Sequence, residues 1–145
     1  MVRGSLSHLD LTVTDLNSSV AFYDRVLGRL GYRRRDDVGA GAPCWAISDS
    51  SGGSFTIALK PATPESRTRR HDRYAPGLHH LAFHADSRED VDGFHGFLVG
   101  IGAPILDPPA EYAYTPGYYA IFFADPDGIK LEVVFEPELR GAADR

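Results

Sequence analysis

His8, His80 and Glu132 are the side chains of this 145-residue chain whose types and positions suit joint chemistry. Each histidine leads a short alternating stretch, His8-Leu9-Asp10-Leu11 in one case and His80-Leu81-Ala82-Phe83 in the other. Glu132 ends the stretch Asp125-Pro126-Asp127-Gly128-Ile129-Lys130-Leu131-Glu132, a turn followed by a strand. Two imidazoles and a carboxylate brought together suit a divalent first-row metal, with positions left open for water or substrate. The competing reading is three half-exposed polar side chains on separate strands.

Strand phase selects among the histidines. Leu9, Leu11 and Val13 alternate with His8, Asp10 and Thr12, giving one packed face and one polar face. Leu81, Phe83 and Ala85 repeat the packed set, and His80, Ala82 and His84 repeat the other. His79 shares the apolar phase and is expected to point away from the site. It keeps one rival claim, because it lies seven residues before Asp86 just as His8 lies seven before Asp15. His80 is preferred, since a strand fixes side-chain direction more tightly than the following turn. Leu131, Val133 and Phe135 alternate with Glu132, so the carboxylate faces opposite to the apolar set. A carboxylate there is costly unless it is paired or bound to a cation. Asp10 and His84 share the polar face and are the candidates for proton transfer or substrate contact. His95 is expected to be exposed on a helix, His71 sits in a linker, and Cys44 reads as a packed small residue. Tyr112, Tyr114, Tyr118 and Tyr119 suit a wall or lid, or the core. No glycine-rich phosphate loop, CxxC pair or Gly-x-Ser-x-Gly elbow is present.

The elements that must position these residues follow from periodicity. Ser5–Thr14 reads as a strand, with Leu6 out of phase. Asp15 or Asn17 then caps an amphipathic helix through Val20, Phe22, Tyr23, Val26, Leu27 and Leu30, which Gly31 stops. Strands are expected at Tyr32–Asp37, Cys44–Ser48 and Phe55–Lys60, with a loop at Gly39–Gly41 and a turn at Asp49–Gly53. The second stretch repeats this order: a strand at Leu78–Ala85, a helix capped by Asp86 or Ser87 and closed by Gly102, and a short strand at Pro104–Leu106. A loop over Asp107–Pro116 follows, then strands at Tyr118–Ala124 and Ile129–Phe135. The linker 61–77 carries Arg67, Arg69, Arg70, His71 and Arg73, either a solvated loop or a basic lip over an anionic substrate.

The two stretches are copies. His8 to His80 is an offset of 72, Asp15 to Asp86 and Gly31 to Gly102 are offsets of 71, and Gly53 to Gly128 is 75. The last alignment sets Ile57 against Glu132, so the first copy lacks a carboxylate there and the site has three protein ligands. The expected fold class is α+β: two β-α-β-β-β halves, each with one sheet face under its helix and the other left to be buried or lined together. One domain over 1–136 comprises halves at about 5–60 and 78–136, joined by the linker 61–77, with a flexible tail at 137–145.

Composition closes off several classes. Apolar residues make up 43% of the chain, enough for a packed core, and the net charge of −5 attracts neither nucleic acid nor an anionic membrane. One cysteine excludes an internal disulfide, and the N-terminal stretch has no long apolar run, so a cytoplasmic location is the default expectation. Exposed sheet edges suit a homodimer.

The stretches HLDLTVTDLNSSVAFYDRVLG, GLHHLAFHAD and FFADPDGIKLEVV resemble the vicinal oxygen chelate superfamily, the glyoxalase, bleomycin-resistance and extradiol-dioxygenase group. The likeness runs from Ser5 to about Pro137, and its most specific part is the DPDG turn with the glutamate four residues on. It implies tandem βαβββ modules forming an open barrel-like cavity, and a divalent ion (Fe, Mn, Ni or Zn) held by His8, His80 and Glu132, chelating a small oxygen-rich substrate. Lyase, isomerase, thiol-transfer or dioxygenase chemistry would follow. The alternative it implies is a bleomycin-resistance-type protein that sequesters a small molecule, although the retained ligands count against that role. Glyoxalase I and methylmalonyl-CoA epimerase use four ligands, and Ile57 removes one. Extradiol dioxygenases share the His, His, Glu set, but Phe122 replaces their tyrosine and Ala113–Thr115 holds no histidine. Fosfomycin-resistance thiol transferases share the ligand set, but Asp10 stands in place of their threonine.

Overall fold

The computed structural model describes residues 3–35, 37, 39–50 and 52–138. The chain divides into two compact units, Met1–Arg70 and His71–Arg145, so the boundary falls inside the expected linker. Each unit is a β-α-β-β-β module, as the repeat in the sequence requires.

The first unit contains β1 (His8–Val13), α1 (Leu16–Arg29), β2 (Arg33–Arg34), β3 (Cys44–Ser48) and β4 (Ser54–Pro61). Its sheet runs β1-β4-β3-β2, with β1 parallel to β4 and the other pairs antiparallel. The second unit contains β5 (Leu81–His84), α2 (Arg88–Gly100), β6 (Ile105–Glu111), β7 (Tyr119–Ala124) and β8 (Lys130–Phe135), in the order β5-β8-β7-β6.

Both helices start where a short polar side chain meets an orphan N–H. The Asp15 carboxylate accepts from the Ser18 N–H at 2.9 Å, and the Ser87 hydroxyl from the Asp90 N–H at 3.1 Å. Asp90 in turn accepts from the N–H of Asp86, the residue before the cap, and so ties the entering chain to the first turn. Asn17 and Asp86 are therefore not the caps. Each helix covers one sheet face through aromatic contacts. Tyr23 meets Trp45 at 6.2 Å in the first unit, and Phe94 meets Phe123 at 5.8 Å in the second. Trp45 also donates to Asp24 at 2.8 Å, which satisfies its buried indole N–H.

Three expectations change. The strand at Tyr32–Asp37 shrinks to Arg33–Arg34, because three consecutive arginines at a sheet edge have little to pack against. The loop expected over Asp107–Pro116 is strand as far as Glu111, with register shifts around Asp107. Pro108 and Pro109 are tolerated because β6 is an edge strand, where a missing N–H breaks no inner ladder. The strand expected at Leu78–Ala85 is only Leu81–His84, which leaves His79 and His80 in the approach to it. Of the expected tail, Pro137 and Glu138 continue from β8 as a helical turn, and 139–145 lie outside the described residues. Among the described residues no helix is long and apolar enough to cross a membrane.

Candidate functional site

The hairpin turns align the two copies more sharply than the sequence does. The Asp125 N–H donates to the Ile129 carbonyl and its carboxylate accepts from the Asp127 and Ile129 N–H groups. Asp49 does the same with Gly53, at 2.9 Å in each direction. Gly128 and Gly52, at φ +83° and +81°, occupy the left-handed position of the two turns. Gly52, and not Gly53, is therefore the counterpart of Gly128.

That shift corrects the position opposite Glu132. In the second sheet Ala82, Glu132 and Phe122 lie side by side across three strands. The matching row of the first sheet is Asp10, Ala58 and Cys44. Counted across the sheet, Glu132 corresponds to Ala58; counted from the turn, it corresponds to Thr56. Ile57 belongs to the other face, in a row with Leu9 and Trp45, and is fully buried. The first copy still offers no carboxylate at that point of β4, but Asp10 supplies one on the neighbouring strand.

Glu132 is the centre of the second unit's polar chemistry. Its side chain is 1% exposed, on the sheet face away from α2. Burial raises its pKa above the ordinary carboxylate value, against the opposing pull of Tyr118, His80 and Lys130. His80 Nε2 lies 3.2 Å from Glu132 Oε2. The Tyr118 hydroxyl donates to Glu132 Oε1 in a very short hydrogen bond. Burial, followed by this carboxylate, pushes the Tyr118 phenol well above its usual range, so it stays a donor. Lys130, two residues before Glu132 on β8, sets its Nζ 3.8 Å from the centre of the Phe122 ring.

His79 does not point away. Its Nδ1 lies 2.7 Å from Nδ1 of His80, and its ring meets Tyr74 edge-on at 5.8 Å. Strand alternation does not govern these two residues, since β5 begins only at Leu81. The His79 pKa is lowered by burial and then by His80, Lys130 and Arg73, which favours its neutral form.

A wall of rings adjoins the acid. Tyr112 stacks on Tyr114 at 5.8 Å with 9° between planes, and Tyr118 meets Tyr114 edge-on at 5.1 Å. Tyr112 also meets Phe122 at 5.3 Å, and Phe122 meets His80 at 6.3 Å. Tyr112, Phe122 and Tyr118 pack with Ala120 and Val134 into a cluster on this face. A cleft of about 530 Å³ runs along residues Glu111–Gly117, and Tyr114 stands 69% exposed at it.

The other sequence candidates sit as follows. His8 is exposed at the start of β1, with Nδ1 3.3 Å from the Ser7 hydroxyl. Asp10 lies 3.7 Å from Lys60 Nζ. His84 is exposed on β5, opposite Val134. His95 is half-buried on α2 where an exposed position was expected. His71 places Nε2 2.9 Å from the Leu78 carbonyl oxygen, and Cys44 is buried. Within its unit the His80–Glu132 pair stands as a pair: among the described residues no group of three His, Cys, Asp or Glu side chains forms a ligand set.

The pair nevertheless fits a divalent ion. Two donors each about 2.1 Å from one ion are 3.2 Å apart when they subtend roughly 100°. The donors are an imidazole nitrogen and a carboxylate oxygen, which Zn, Fe, Mn and Ni all accept. A bound cation would also offset the cost of burying this carboxylate. Sequence phase located Glu132 and could have located Lys130. It offered Tyr118 only for a wall, lid or core and turned His79 away, because their parts depend on a loop and on the chain's approach to β5.

Residues 5–133 match the profile of the Glyoxalase/Bleomycin resistance protein/Dioxygenase superfamily. A Bacillus subtilis (strain 168) protein, YqjT, itself described as uncharacterised, is 33% identical over 130 residues, spanning 89% of this chain and 97% of the relative. A candidate glyoxalase from Bacillus halodurans superposes with a TM-score of 0.77 at 34% identity, covering 92% of this chain and 97% of that one. A glyoxylase/bleomycin resistance protein/dioxygenase domain from Frankia sp. EAN1pec reaches a TM-score of 0.67 at 27% identity, covering 92% of this chain and 98% of that one. Lactoylglutathione lyase from Agrobacterium tumefaciens shares the fold, at a TM-score of 0.60 and 19% identity over 91% and 93%.

Proposed function

The chain belongs to the glyoxalase, bleomycin resistance protein and dioxygenase superfamily, and from that premise we propose that it is a divalent-metal enzyme acting on a small oxygen-rich substrate. The observation that carries this reading is the buried Glu132 carboxylate with His80 Nε2 3.2 Å away. His8 is the third ligand in this proposal. It rests on the repeat, in which His8 opens β1 and His80 immediately precedes β5, and on the family resemblance.

When bound, the ion would hold adjacent oxygens of the substrate and stabilise negative charge developing on them. The chain's own residues have separate tasks. Tyr112, Tyr114 and Tyr118 offer aromatic surface beside Glu132, which suits a substrate with a flat, conjugated part. Asp10 and His84, both exposed, are the groups proposed to move protons to or from the substrate. Asp10 is the better supported, because it occupies the first copy's row beside the counterpart of Glu132.

Metal analysis of protein purified without a tag tests the proposal. Stoichiometric Fe, Mn, Ni or Zn, lost in both His80→Ala and Glu132→Gln, is the expected result. A metal-free protein that takes up no divalent ion on anaerobic reconstitution, yet binds an aromatic ligand, would replace it with the second reading: a sequestering protein. The tyrosine-lined cleft favours that alternative.

A further inference from the structure

Each of the two donors in the second unit has its remaining polar atom occupied. Glu132 presents Oε2 to His80 while Oε1 accepts from the Tyr118 hydroxyl. His80 presents Nε2 to Glu132 while Nδ1 meets Nδ1 of His79 at 2.7 Å. We infer that Tyr118 and His79 are positioning residues that set how the chain offers its ligands, Glu132 through one oxygen only and His80 through Nε2 only. This inference rests on the metal-enzyme reading above and deepens it.

The chemistry of the contacts supports the assignment. A phenol that donates to one carboxylate oxygen leaves that oxygen a weaker and sterically blocked ligand, so chelation by both oxygens is disfavoured. Two imidazole nitrogens 2.7 Å apart must share a proton, because neither lone pair can accept from the other. Two tautomer pairs meet this demand. If His80 carries its proton on Nε2, directed at Glu132, then His79 donates from Nδ1. If His80 gives up Nε2 to an ion, its proton sits on Nδ1 and His79 accepts. The contact survives either way, so His79 lets His80 exchange an intramolecular hydrogen bond for a metal bond without losing its orientation. His79 is itself steadied by the Tyr74 ring. Tyr118 is steadied by Tyr114 and Tyr112, so neither positioning group is a free rotor.

The test uses the full chain, stripped with chelator and titrated anaerobically with Co(II), in the wild type and in Tyr118→Phe, His79→Ala, His79→Asn, His80→Ala and Glu132→Gln. Affinity is read by calorimetry and coordination by visible absorption. Tyr118→Phe keeps the ring and is expected to weaken Co(II) binding about 10- to 100-fold, the usual cost of losing a ligand's supporting partner. Its visible bands should also weaken, as the freed oxygen raises the coordination number. His79→Ala should weaken binding to a similar degree, and His79→Asn, which restores a hydrogen-bonding partner, should recover part of it. If His80→Ala and Glu132→Gln abolish binding while Tyr118→Phe and His79→Ala match the wild type in affinity and spectrum, this inference fails and the metal reading stands. If the wild type binds no Co(II), both fail together.

Discussion

Tyr32 shows how burial of one ionisable group becomes a stability limit. It follows α1, and burial raises its phenol from 10.0 to about 12. A raised value means that the folded state resists ionisation more than the unfolded chain does. The stability this residue contributes is therefore complete below pH 10 and is lost as pH rises towards 12. Tyr32→Phe should blunt that loss, leaving neutral stability within about 1 kcal/mol of the wild type. Denaturant melts from pH 8 to 12 check this, with Tyr74→Phe as the control, since Tyr74 is exposed. An alkaline limb unchanged by Tyr32→Phe would place the sensitivity elsewhere. The same physics governs Glu132, whose burial no periodicity argument measures. Alternation told that it faces away from the apolar set, but only the packing of Phe122, Val134 and Tyr118 around it makes it a buried acid.

At the scale of elements, the helices were legible because their signals are local. Each cap, apolar stripe and stopping glycine lies within one segment, and both helices appear where those signals place them. The two caps should respond differently to pH. The Asp15 carboxyl is held below its ordinary 3.8, chiefly by the Ser18 N–H, so its contribution is present above that value and fades as pH falls through the lower folded value. Asp15→Ala should thus lower the melting temperature at pH 7 and approach the wild type in strong acid. Ser87→Ala removes an uncharged cap, and about 1 kcal/mol should be lost, with a weaker dependence on pH than in Asp15→Ala, because only the neighbouring Glu89 carboxyl titrates against that hydroxyl. Equal pH dependence in the two variants would count against this assignment. Edge strands were poorly legible for the opposite reason. Two adjacent prolines read as a loop unless it is known that β6 has a neighbour on one side only, and sheet order is not written in any one segment. The offset of 75 failed similarly: two adjacent glycines, Gly52 and Gly53, cannot be told apart until the turn's hydrogen bonds single one out.

At the scale of the whole molecule, duplication explains why the two copies are not interchangeable. The rows Asp10–Ala58–Cys44 and Ala82–Glu132–Phe122 occupy the same place in their sheets, yet each carries its carboxylate on a different strand. Asp10 is exposed with a lysine nearby, a state suited to proton exchange with a substrate. Glu132 is enclosed with an imidazole and a phenol, a state suited to gripping a cation. In the proposed ligand set, one histidine comes from the first unit and two ligands come from the second, so metal should stabilise the fold only while both contribute. An ion at about 100 times its dissociation constant adds roughly 2.7 kcal/mol to a folded state that alone binds it. Thermal unfolding followed through Trp45, the single tryptophan, should therefore shift upward with added Zn or Ni in the wild type. Trp45 lies in the first unit, which the proposal ties to the metal through His8. His8→Ala should remove the shift while leaving the metal-free midpoint nearly unchanged, since His8 is exposed. A shift that persists in His8→Ala but vanishes in His80→Ala would confine the metal to the second unit and cut the ligand set to the pair already in contact.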